Sequence, residues 1–228
     1  MKFSTFRHAK LLVAASVVAI TSGCASHAKI DKFALETINS PAYHGKSINH
    51  EVLYSQIEPG FLNSAHQQEL TPLKDATLSM AASNVMDNFE SKLAKGKPLN
   101  TTIVTKGGDL LLRTTVIAND KKGPAFGEHQ LAESLAKNVL TFGLAGSDYD
   151  VVADFSIRYE LYFDNALVHD KRFVINERVD HTSGNFEFNR YSNLNDAAAA
   201  LMDKHVSMTL NTFYKEAAEK LPTTLALN

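Results

Sequence analysis

The chain has one cysteine in 228 residues, no Lys/Arg run longer than two, and no apolar run long enough to cross a membrane. A single thiol excludes an internal disulfide, so the core must hold the fold without a covalent staple. The scattered basic residues, against a formal charge of −2, lack the electrostatic footprint of a nucleic-acid binder or of a polybasic membrane patch. No histidine stands two or four residues from another, so neither a strand nor a helix preforms a metal pair, and no metal or cofactor is expected. A Gly-x-Ser-x-Gly elbow is also missing; Gly146-Ser147-Asp148 is the nearest string, and it joins a helical pattern to a strand pattern, the reverse of what an elbow requires. Asp154 and Glu160 share a strand face but lie about 20 Å apart along it, too far for a glycosidase carboxylate pair.

What is present begins at the amino terminus. Lys2, Arg7 and Lys10 precede an apolar stretch from Leu11 to Ile20, followed by the small residues Thr21, Ser22 and Gly23 and then Cys24, in the layout of a secretory signal. Ten apolar residues rise only about 15 Å as a helix, half of a hydrocarbon core, so a permanent transmembrane segment is disfavoured. The junction Ser22-Gly23-Cys24 resembles the lipobox of bacterial lipoproteins, in which the cysteine receives diacylglycerol and becomes the new amino terminus. Thr21 departs from that pattern, which usually carries an aliphatic residue there. Ordinary signal cleavage after Ala25 or Ala28 is the rival reading, and a buried structural cysteine a third. The resemblance implies lipidation at Cys24, and Ala25 after it implies forwarding to the outer membrane with the body facing the periplasm. Loss of residues 1–23 leaves 20 basic residues against 25 acidic ones, a formal charge of about −5.

Residues 24–45 read as a tether, 46–221 as a single domain and 222–228 as a tail. At about 200 residues, 44% of them hydrophobic, such a domain buries enough surface to stand alone. Ile48, Val52 and Tyr54 predict a first strand. Leu78, Ala82, Val85, Phe89 and Leu93 mark one face of a helix over 75–95, stopped by Gly96 and Pro98. The runs 101–106 and 109–118 flank Gly107-Gly108 and predict a hairpin. A second helix is expected over 128–142. The clearest alternation, from Val151 to Phe163, predicts a strand that turns at 164–166 and returns through Leu167, Phe173, Ile175 and Val179. Phe186 and Phe188 suggest a third meander strand, and a last helix opens near Asn195 and closes before Pro222. The expected fold is α+β: one mixed, mainly antiparallel sheet of about six strands covered by three helices, with the first strand parallel to the one after Gly96.

Tyr162 and Tyr191 fall off the apolar parity of this region and are the candidate interaction residues, since exposed aromatics anchor interfaces. His205, beside the apolar face of the last helix, reads as a partly buried structural histidine. The string Tyr149 to Phe155, the hairpin and the long Ala-rich terminal helix resemble small α/β lipoproteins of the Gram-negative envelope, including auxiliary lipoproteins of transport systems. That resemblance implies a non-catalytic accessory or scaffold domain, anchored by lipid and docked on an envelope protein complex. A carrier or sensor of a lipidic or small apolar ligand, and a hydrolase with no recognisable motif, remain as alternatives.

Overall fold

The computed structural model describes residues 28–59, 66–87, 89–130, 147–183 and 190–221. Seven strands form one mixed sheet: β1 (Ser47–Ser55), β2 (Thr71–Pro72), β3 (Thr102–Ile103), β4 (Leu110–Ala118), β5 (Ala125–His129), β6 (Ser147–Phe163) and β7 (Ala166–Ser183). The helices are α1 (Met80–Met86), α2 (Phe89–Lys95) and α3 (Arg190–Lys220). β4 and β5 both lie against one edge of β6, β7 lies against the other, and β1 follows β4 in parallel. The expected α+β class and the parallel pairing of the first strand with the one after Gly96 are both present, but the sheet has seven strands where about six were expected, and two of the helices are halves of one expected helix.

β6 is the spine because its alternation is so regular. Phe155, Ile157, Tyr159 and Leu161 are completely buried on one face, where α3 packs, while Arg158 is exposed on the other. The returning strand begins after a turn of two residues, Asp164 (φ 49°) and Asn165 (φ 64°), both left-handed. The expected three-residue turn included Ala166, but two consecutive positive φ angles already reverse the chain, and Ala166 pairs with Phe163. α3 fills the inner layer with Leu201, Val206, Leu210, Phe213 and Tyr214. Met208 of the same helix is exposed.

Several expected elements differ. The helix over 75–95 starts later, at Met80, where Ser79 Oγ accepts from the Ala82 N–H at 3.0 Å as N-cap, and it is divided into α1 and α2. The hairpin across Gly107-Gly108 does not form. Both glycines do take positive φ, but the chain they turn passes around the start of β1, so that β3 and β4 flank β1 on opposite edges and both run parallel to it. Asp109 fastens this crossover: its Oδ2 accepts from Ser47 N–H and Ser47 Oγ, each at 2.7 Å. Those bonds hold the Asp109 carboxyl below the usual carboxylate range.

Glu128 and His129 end strand β5 instead of opening a helix, paired with Asp150 and Tyr149. The rest of that expected helix, 131–142, lies outside the described residues, as does the expected strand at Phe186 and Phe188. α3 begins at Arg190, before the expected cap at Asn195, because Leu194 is buried and drives the helix onto the sheet. Its contact is with Gly127, where any Cβ would stand 2.1 Å from Leu194 Cδ2.

Residues 28–45 lie on the body. Ile38, Ala42 and Tyr43 are buried, and Asn211 clasps the segment by accepting from Glu36 N–H and donating to the Ala34 carbonyl, both at 3.0 Å. Among the described residues no helix is long and apolar enough to cross a membrane.

Candidate functional site

All three helices pack on one face of the sheet, and among the described residues none lies on the other. Strand register brings charges into a row across that open face: Glu51 of β1 stands opposite Arg113 of β4, which stands opposite Glu160 of β6, which stands opposite Asp170 of β7. Directly opposed side chains on one face are close enough to interact. Arg113 Nε donates to Glu51 Oε2 at 2.6 Å, and the bond raises the guanidinium above its ordinary range. Arg158 forks onto Asp170, with Nε to Oδ1 and Nη2 to Oδ2 both at 2.7 Å, and its Nη2 lies 3.3 Å from Glu160 Oε1. That fork holds Asp170 below the usual carboxylate range.

Tyr162 belongs to this row. Its hydroxyl donates to Glu160 Oε1 at 3.3 Å, and the Arg113 guanidinium carbon sits 5.5 Å from its ring centre. It is half-buried, its phenol raised first by burial and then by Glu160. The other candidate, Tyr191, stands in the first turn of α3, and its side chain lies outside the described residues. Cys24 lies outside the described residues.

A groove of about 520 Å³ opens beside the row, walled by Asn49, His50, Glu51, Lys74, Glu90 and Arg113. It exists because β1 is paired on its outer edge only at its two ends, by β3 at Ser47 and Ile48 and by β2 at Leu53 and Tyr54. Asn49 to Val52 therefore present an edge to which no described strand is bonded. His50 faces this gap with its Nε2 buried and unpartnered, and burial drives its pKa down to about 4, so the imidazole is neutral at pH 7.

These groups are suited to recognition more than to proton transfer. Arg158 and Asp170 are locked in a mutual pair, Arg113 is committed to Glu51, and the depressed Asp170 carboxyl carries no proton near neutrality. In the inner layer Phe213 lies between Tyr159, at 5.2 Å between ring centres, and His169, stacked at 4.9 Å. His205, expected to be partly buried, is so: it packs edge-on to Phe155 and lies 2.8 Å from Glu177 Oε2. Asp170 is one of the acidic residues that the sequence offers around the hairpin, but its union with Arg113 and Arg158 is a matter of register across three strands, for which the polar residues alternating along each strand are the local signal.

No family model and no curated protein matches the chain. Among solved structures it is similar to a DUF330 protein from Xanthomonas campestris, at 12% identity over 83% of this chain and 93% of that one, with a TM-score of 0.33. It is also similar to a structure described as a neuraminyllactose-binding hemagglutinin homolog from Helicobacter pylori, at 8% identity over 84% of this chain and 98% of that one, with a TM-score of 0.34. Overlaps of that size leave the functional reading to rest on the chain's own residues.

Proposed function

We propose that this protein is a non-catalytic accessory or scaffold domain of the bacterial envelope, held to the outer membrane by lipid on Cys24 and docking on a protein complex through the open face of its sheet. The observation that carries this reading is the charged row from Glu51 to Asp170, on the face where no described helix lies, with Tyr162 embedded in it and the β1 groove beside it. A half-buried tyrosine backed by arginine is the composition of interface cores, and paired charges around it select a partner of complementary pattern. The lipobox-like string at Cys24 supplies the anchor, and the partner is an envelope protein whose surface offers alternating charges.

The test is crosslinking in living cells followed by affinity purification and mass spectrometry, comparing the native chain with Cys24→Ser and with Arg113→Glu. The native chain should recover a specific envelope complex, Cys24→Ser should leave the outer-membrane fraction, and Arg113→Glu should remain anchored but lose the complex. Unchanged fractionation of Cys24→Ser would overturn the anchor; an undiminished complex with Arg113→Glu would overturn the docking face.

A further inference from the structure

β7 is 18 residues long, and among the described residues it is paired on one edge only, by β6. A free edge of this length is a template for another strand. Between Asp170 and Asp180 its open-face residues are polar or charged except at the middle, where Val174 is 73% exposed between Arg172 and Asn176.

We propose that this edge pairs antiparallel with the same edge of a second copy of the chain, on a two-fold axis through Val174. In an isologous pairing each residue meets the one equally far from the axis on the other side. Centred on Val174, Asp170 meets Arg178 and Arg172 meets Asn176 on the open face; Lys171 meets Glu177 and Phe173 meets Ile175 on the helix face. Every opposite-charge contact is made twice by symmetry, and Val174 covers itself.

Neighbouring registers do worse. The alternation of faces permits only shifts of the axis by whole residues. With the axis on Ile175, Asp170 meets Asp180 and Arg172 meets Arg178, four like-charge contacts by symmetry; on Phe173, neither Asp170 nor Arg172 finds an opposite charge. Charge pattern thus favours the Val174 axis over both of its neighbours, the Ile175 axis being penalised by repulsion.

Glu160 and Asp170 stand opposite one another with Arg158 as the cation bridging both. A second copy would place its Arg178 beyond Asp170, continuing the charged row from one sheet into the next.

The test uses the full chain carrying Cys24→Ala, which makes it independent of the lipid anchor and of any envelope partner. Sedimentation equilibrium should show a monomer–dimer equilibrium, and Val174→Lys, which sets two ammonium groups face to face, should weaken it about tenfold or more. On mild oxidation Val174→Cys should form a covalent dimer rapidly, while Asn176→Cys, whose partner is Arg172, should stay monomeric. A native chain that remains monomeric at its highest soluble concentration overturns the proposal, as does a dimer indifferent to Val174→Lys or crosslinking at 176 as fast as at 174.

Discussion

The Tyr43 hydroxyl donates to the main-chain carbonyl of Tyr214 at 2.9 Å, while the Tyr214 hydroxyl is buried with no hydrogen-bond partner. The rings meet edge to face, 5.8 Å apart, so two tyrosines in one contact have opposite accounts of their hydroxyl groups. Tyr43→Phe should cost about 1 kcal/mol, the net worth of a satisfied buried bond plus the loss at the carbonyl. Tyr214→Phe should be neutral or stabilising, because it removes a desolvated group that gains nothing. Urea unfolding of both variants checks the contrast, and equal losses would contradict it.

Gly127 should tolerate no side chain. Its Cα lies under Leu194, so Gly127→Ala is expected to lose about 1–3 kcal/mol through overpacking, and the loss should shrink in a Leu194→Ala background. A double-mutant cycle by chemical denaturation reads the coupling; additive effects would mean that the contact does not limit the packing.

The pH dependence of stability should carry the mark of His50. The unfolded chain takes up a proton near the ordinary pKa of 6.5, whereas the buried imidazole resists protonation down to about 4. Stability from the neutral form is therefore complete above pH 6.5 and is lost as the pH falls towards 4, by on the order of 3 kcal/mol. His169, lowered by burial and by Lys220, and His205, lowered by burial, act in the same direction. His50→Leu should flatten the slope in that window, as measured by unfolding free energies at successive pH values; an unchanged slope would assign it to other groups.

Arg158→Gln should release Asp170. With the fork gone, Asp170 faces Glu160 with no intervening cation, and its carboxyl should titrate upward from its depressed position to the ordinary range or above. An NMR titration of the Asp170 side chain follows this directly. The stability cost should stay within about 1 kcal/mol, since both partners are substantially exposed.

What the sequence discloses depends on whether a signal is local. β6 and β7 are legible because Val151 to Phe163 alternate without interruption, and the α3 stripe is legible because Leu201, Val206, Leu210 and Phe213 recur at helical spacing. Gly107-Gly108 misleads for the same reason: positive φ is a property of the dipeptide, but which strand lies beside the turned chain is decided by Ser47 and Asp109, 62 residues apart. Glu128 and His129 look helical beside the apolar pattern that follows, yet the β6 edge takes them as a strand. Tyr162 is visible as an aromatic out of phase. Its neighbour Arg113 becomes visible only when β4 is laid beside β6.

The crossover around β1 sets the order of synthesis against the order of assembly. β1 is made first among the strands, but both of its parallel neighbours follow it in the chain, and its longer partnership is complete only when Ile117 has been reached. The β6–β7 ribbon, by contrast, closes across two residues. Loop closure therefore favours the ribbon early and leaves residues 47–55 without lasting partners until late. An emerging chain would keep its first strand without its longer parallel partner until Ile117 has been made.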